Sequence, residues 1–484
     1  MADATAKPVS AGASSAPREG FWRRIARSRG DYILPVPTDA RRSLARGWLF
    51  LALAAIIGAG VFSILLVASR TPGLASLFPV ADFFHVALVV HVDLSVLVWF
   101  VAFAGMFWSL NATHRWIGFG WAAYSLTAVG SALLAAAPFI GREVPVMANY
   151  IPVLDGPVFL TGLVIIALGV ALLCIRGMSI VPRVGPRLDG AAALRFGLNA
   201  SLASTAVALM AFTWSWLAVP QGLDSKPYFE LVFWGGGHVL QFTWTLLMMV
   251  AWLWLLSAIG APVPITPRVA VLLFGVGLVS VFITPVIYLA YAVPSVEHYR
   301  LHTWLMRFGG GLAILPITLA LVVGLTRARI VDEVARPLRA ALVTSLVLFA
   351  AGGLIGFLIE GSNTKIPAHY HGCIVGITLA FMGVAYHLLP RFGYGAPVGR
   401  LATWQPYLYG VGQLMHMLGL VWSGGYGVQR KVAGTDQVLR TGSEVFGMGL
   451  MGLGGLVAII GGVLFVVVAL RAMLRAPAAG KEAP

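Results

Sequence analysis

Residues 368–391 read Ala368-His369-Tyr370-His371-Gly372, then Cys-Ile-Val-Gly-Ile-Thr-Leu-Ala-Phe-Met-Gly-Val-Ala-Tyr-His-Leu-Leu-Pro and Arg391. The run after Gly372 is mostly apolar, and about 20 such residues are what a helix needs to cross a bilayer. Backbone groups in lipid must pair within their own segment, so the run is predicted to be a helix rather than an open strand. Its two opening histidines stand at i and i+2. A helix turns by about 100° per residue, so imidazoles two apart leave it on nearly opposite sides. A single metal is therefore a poor fit for both. Each suits a separate group, and imidazole is a common axial ligand of haem iron. The stretch predicts a membrane helix wedged between two haems.

The chain around it has 484 residues, 59% hydrophobic and 11% charged. Soluble domains carry about 25% charged residues, so most of this surface is expected to face lipid. The 20-residue rule gives about twelve spans, at roughly 48–68, 84–110, 116–137, 156–176, 194–219, 228–258, 268–292, 302–326, 339–359, 367–390, 402–424 and 444–470. Strand-like alternation with polar lumen positions is absent, which argues against a barrel. The expected fold is all-α: a polytopic bundle of about twelve transmembrane helices over 48–471, between an N-terminal arm (1–47) and a short tail (472–484). The arm lacks the apolar core and small-residue cleavage site of a signal peptide.

Net charge is +15, and the surplus sits in the arm and in alternate loops, around Arg195, Arg336, Arg391 and Arg471. Cytoplasmic loops are enriched in Lys and Arg, so this set and both termini are placed in the cytoplasm, in a bacterial inner membrane. No aromatic-interleaved basic patch suggests nucleic acid. The two cysteines, Cys174 and Cys373, lie in apolar runs, and no Cys-x-x-Cys-His occurs, so neither a disulfide framework nor a c-type haem is expected.

With that topology seven of the ten histidines share one outer-leaflet layer: His85, His91, His238, His298, His302, His369 and His371. Ionisable groups inside spans are costly and mark function by default. Similar depths reached from four separate segments call for a common cause, which haem or metal ligation supplies. The acids Asp82, Asp93, Asp155, Glu230, Glu297, Glu360 and Glu444 also fall at outer ends, and no Asp or Glu lies in the inner half of a span. Protons are therefore expected to enter from outside.

His91 in His-Val-Asp-Leu-Ser-Val-Leu-Val-Trp-Phe resembles the second-helix haem ligand of the haem-copper oxidase / nitric oxide reductase superfamily, and His369 to Arg391 resembles its tenth helix. The resemblance runs over about residues 47–471 and implies a subunit I-like bundle. It implies a low-spin haem between His91 and His371, a high-spin haem on His369, b-type chemistry for both, and a non-haem iron or copper beside the second. Trp234-Gly-Gly-Gly-His238 resembles the sixth-helix segment that carries a ligand of that metal, and Gly427-Val-Gln-Arg430-Lys431 the loop that binds haem propionates. The family's consecutive histidine pair is missing. Glu297-His298 is the nearest candidate, which gives a metal set of His238, His298 and Glu297 and favours iron, because a carboxylate is a harder ligand. Gln241, one turn from His238, joins Glu297 as a catalytic candidate. Phe242 stands where many oxygen reductases of the family have tyrosine, with Tyr288, Tyr291 and Tyr299 as substitutes. The expected activity is reduction of nitric oxide to nitrous oxide, with oxygen reduction or a metal-free electron carrier as the alternatives. Electrons would come from a cytochrome c-like or cupredoxin-like subunit, or from a quinol.

Overall fold

The computed structural model describes residues 31–70, 83–140, 143–182, 188–329, 332–430 and 439–475. Its helices are α1 (Ala40–Arg70), α2 (Phe83–Val92), α3 (Trp99–Asn111), α4 (Ile117–Ile140), α5 (Pro157–Ser179), α6 (Gly190–Ala218), α7 (Ser225–Ala258), α8 (Pro267–Val279), α9 (Ile283–Ala290), α10 (Val296–Gly309), α11 (Gly311–Arg327), α12 (Ala335–Phe357), α13 (Lys365–Arg391), α14 (Arg400–Gly425) and α15 (Gly442–Met473). Three pairs make single rods: α2 joins α3 through a π-helical turn (Asp93–Val98), α8 joins α9 through a 3-10 turn, and α10 abuts α11. Among the described residues eleven rods are long and apolar enough to cross a membrane.

The twelfth rod, α14, is 26 residues long but more polar. Its polar side chains Gln405, Gln413 and His416 turn inward and are bonded there. Gln405 is fully buried, accepts from the Tyr386 hydroxyl at 3.0 Å and donates to the Gly461 carbonyl at 3.1 Å. Each of these bonds satisfies a group that lipid could not. α14 packs along α15, α12 and α13 as an integral part of the bundle.

The bundle is built around three rods. The apolar windows of α2–α3, α7 and α13 are 67%, 83% and 89% buried, and no other span exceeds 50%. These three central rods carry His91, His238, and His369 with His371. A hairpin of β1 (Val144–Val146) and β2 (Val153–Asp155), paired Val144 to Asp155, lies over the starts of α2 and α7. It closes the end of the bundle opposite the described termini, called the far end below.

The first helix starts at Ala40, eight residues ahead of the expected 48, so its first turn takes in part of the arm. Asp39 makes this possible. Its carboxylate accepts from the Arg41 amide at 2.9 Å and from the Arg41 guanidinium at 2.7 Å, while a second guanidinium nitrogen donates to the Ala112 carbonyl at 2.6 Å. The guanidinium holds the Asp39 carboxyl down at about 2. Charged residues that an apolar window rejects thus complete the helix at the membrane edge.

Candidate haem and metal centre

Six imidazoles are held in a similar way, and their wiring favours ligation. The Nδ1 of His91 faces the Ala59 carbonyl at 2.8 Å, that of His369 the Gly352 carbonyl at 2.7 Å, and that of His238 the Trp234 carbonyl at 2.7 Å. His302 uses the His298 carbonyl at 2.9 Å, His416 the Met451 carbonyl at 2.9 Å, and His371 the Gln413 side-chain oxygen at 3.2 Å. A carbonyl only accepts, so each of these Nδ1 atoms carries the proton, and each Nε2 keeps its lone pair. This carbonyl anchoring is how metal-bound histidines are fixed in orientation.

The i and i+2 pair separates as the helix period requires. His369 turns towards α12 and His371 towards α14. The first approach depends on two facing glycines, Gly352 and Gly372. A Cβ on Gly352 would stand 2.6 Å from the Cys373 nitrogen, so only a bare α-carbon lets α12 bring its carbonyl to His369. On the other side, His371 meets an imidazole that the sequence reading left outside the layer. The His416 ring centre is 4.5 Å away, and Gln413 and His416 share one face of α14 at i and i+3. The π-helical turn directly after His91 buries Asp93 and widens the helix beside this group. Such turns are rare and concentrate at functional sites.

His238 opens the second cluster. Cβ atoms on Gly235, Gly236 and Gly237 would collide with Tyr288, Phe212 and Tyr150, respectively, so the glycine run lets three rings close on α7 just before the imidazole. Tyr150 and Trp234 pack on His238 with ring centres 4.6 Å away. Burial pushes the Tyr150 phenol well up, so it remains a neutral O–H. From α10 come His298 and His302, one turn apart, with ring centres 4.5 Å from each other and His302 6.1 Å from His238. Ser295 caps this helix by accepting from the His298 amide at 3.2 Å, which sets the rotation of its first turn.

That rotation corrects one expectation. Glu297 is exposed at the far end, while His298 and His302 are 1% and 0% exposed. The third imidazole, not the carboxylate, joins His238. Spacing was the available signal, since i and i+4 share a helix face and adjacent residues do not. Gln241 is half-buried on α7, where its carbonyl accepts from Thr245. Among the tyrosine substitutes, Tyr288 is buried with its ring 4.7 Å from His298 and 5.5 Å from His302. Its hydroxyl donates to the Ala211 carbonyl at 3.1 Å and pairs with the Ser215 hydroxyl at 2.7 Å. Tyr299 stacks on Trp234 at the rim, and Tyr291 is exposed. His85 packs its ring on Phe84, with ring centres 5.2 Å apart.

The residues fit the groups expected of them. Among the described residues no three His, Cys, Asp or Glu are drawn into a ready-made metal cage. However, the Nε2 atoms of His298 and His302 are buried with no partner, at a cost that a bound ion would remove. Imidazoles sharing a metal at about 2 Å bring their ring centres to about 5 Å, close to the spacing here. An all-nitrogen set suits copper as well as iron, which removes the reason to favour iron. Arg430 reaches Ser362 at 3.3 Å, on a loop bridged to the start of α13 through Asn363 and Gln429. Lys431 lies outside the described residues, as does Asp82.

No protein-family model matches the chain. An uncharacterized protein of Rickettsia prowazekii is 30% identical over 503 aligned residues, covering 89% of this chain and 96% of that protein. An uncharacterized protein of Aquifex aeolicus is 28% identical over 370, covering 74% and 88%. Among solved structures, a heme-copper terminal oxidase dimer aligns with a TM-score of 0.70 at 17% identity, over 91% of this chain and 85% of that one.

Proposed function

The chain belongs to one family with the Rickettsia prowazekii protein and has the haem-copper oxidase subunit I fold, and from that premise we propose that it is the catalytic subunit of a respiratory membrane complex that reduces dioxygen. His91 and His371 would hold a low-spin haem, His369 a high-spin haem, and His238, His298 and His302 a copper or iron beside it. When bound, these groups supply the electrons and the binding position for a diatomic substrate. The observation that carries the reading is the pair of orphaned Nε2 atoms on His298 and His302, set between His238 and a buried phenol. The protein's part is to fix and to protonate. The Nδ1 bonds lock the rings. Trp234 and Tyr150 pack over His238 and keep water from its ring. Tyr288 holds a proton beside the histidines, and the Ser215 hydroxyl bonded to it is a partner through which the phenol can be reprotonated.

Nitric oxide reduction is the second reading, favoured by the lack of any Asp or Glu in the inner half of a span. Tyr288→Phe separates the two. A positioned general acid contributes about 10²–10⁴-fold, so oxygen turnover is expected to fall about 100-fold or more, with haem spectra retained. Wild-type turnover of nitric oxide but not oxygen, with a silent Tyr288→Phe, would give the site to nitric oxide.

Arg430 is read as a partner of a haem propionate. Its cation disfavours the more positive, oxidised haem, so Arg430→Gln is expected to lower one midpoint potential by on the order of tens of millivolts. Redox titration at unchanged haem content tests this. Superimposable titrations would make the loop an ordinary solvated one.

A further inference from the structure

At the far end, between the ends of α12 and α14 and the start of α13, lies a cleft of about 360 Å³, a volume in the range of small-molecule sites. Phe357 and Leu358 form one lip, Trp422 and Tyr426 the other, and Glu360 and Lys365 flank the cleft. The four apolar and aromatic side chains are 68%, 56%, 48% and 52% exposed, on rods whose outward surfaces face lipid. Glu360 and Lys365 line the same space without an ion pair between them. The feature is therefore amphipathic: an aromatic wall of two rings tilted by 42°, one acceptor, one donor, and an apolar exit to the bilayer.

We propose that this cleft binds the head group of a membrane quinol. The inference rests on the oxidoreductase reading above and names the electron donor for it. A quinol ring presents two O–H groups on opposite edges and an apolar tail. Here one O–H donates to the Glu360 carboxylate, the opposite oxygen accepts from the Lys365 ammonium, the ring lies against Trp422 and Tyr426, and the tail leaves over Phe357 and Leu358. Aromatic rings with a polar edge sit well at this level of a membrane, where one side is apolar and the other wet.

The position relative to the imidazoles supports the assignment. Lys365 precedes His371 by six residues on α13, and Trp422 follows His416 by six on α14, so the cleft stands about 9 Å along the helix axes from the pair whose rings are 4.5 Å apart. Gly424 keeps the two helices closed at this level, because its Cβ would stand 2.8 Å from the Lys365 nitrogen. Oxidation of a quinol to a quinone breaks two O–H bonds and releases two protons and two electrons. Glu360 takes the first proton and outer water the second, and the two electrons would pass singly to the ferric haem that His371 would hold. An anionic phospholipid head group would satisfy Lys365 but bring its negative charge against Glu360. The carboxylate thus selects for a ligand that donates.

The test is photolabelling of the haem-loaded protein in detergent with an azido-ubiquinone of short tail, followed by peptide mapping. Label is expected on 357–365 and 421–426 and is expected to be displaced by unlabelled decylubiquinone. Glu360→Gln and Trp422→Leu should each weaken labelling about tenfold, with the haem spectrum unaltered as the fold control. Decylubiquinol should also reduce the low-spin haem more slowly in both. Label on other segments, equal labelling of the variants, or displacement by anionic phospholipid but not by quinone overturns the proposal. Turnover with an artificial one-electron donor separates the two readings. Activity with that donor and no label in the cleft sinks the cleft alone. Label in the cleft of a protein without haem or turnover sinks the reductase reading and leaves the cleft standing.

Discussion

Replacing His91 or His371 with alanine is expected to abolish the low-spin haem spectrum. A six-coordinate haem that loses one axial nitrogen becomes five-coordinate or leaves the protein. His369→Ala is expected to spare that spectrum and to remove the ligand-binding, high-spin signal. The split follows from the opposite bearings of the two α13 histidines, one on the Gly352 carbonyl and one on Gln413. Reduced-minus-oxidised spectra, with and without carbon monoxide, read both outcomes. His416 sharpens the experiment because its ring lies beside His371 with its own Nδ1 already anchored. A low-spin spectrum that survives His371→Ala and is lost in the double variant with His416→Ala would transfer the axial position to α14. Normal spectra in all the variants would leave the protein without the two-haem arrangement.

The second large effect concerns the non-haem metal. His302→Ala and His298→Ala are each expected to reduce bound copper or iron from about one per complex to near zero, because a three-ligand site that loses one ligand seldom retains its ion. Glu297→Gln is expected to leave metal content unchanged, since that carboxylate is exposed. Elemental analysis of purified complexes, normalised to haem, distinguishes the cases. Metal lost in Glu297→Gln and kept in His302→Ala would restore the carboxylate to the site and, with it, the preference for iron. An intermediate test comes from Trp234, whose carbonyl anchors His238 and whose indole donates to the Tyr299 carbonyl at 3.0 Å. Removing the indole leaves that backbone carbonyl in place but takes away the ring packed on His238, which should loosen the metal by about 10–100-fold without abolishing the site.

What the sequence determined by itself was the part of the molecule governed by local rules. Spans follow from the length of apolar runs, because lipid forces each backbone to bond within its own helix. The two-sided role of α13 follows from the helix period acting on His369 and His371. Counting depth along spans already groups His91, His238, His298, His302, His369 and His371. Tertiary structure decided which of two neighbouring side chains faces inward. Glu297 and His298 adjoin in sequence, and only the rotation of α10, set by the Ser295 cap and packing against α7, sends one to solvent and the other to His238. His416 could not be assigned from depth alone, since its partner lies on another rod that α14 meets only in the folded bundle. The same holds for Tyr288, brought to His298 by the 3-10 turn between α8 and α9, and for the cleft, whose walls come from three helix ends. Local periodicity is a property of a segment, but the azimuth of a helix about its own axis is settled by its neighbours.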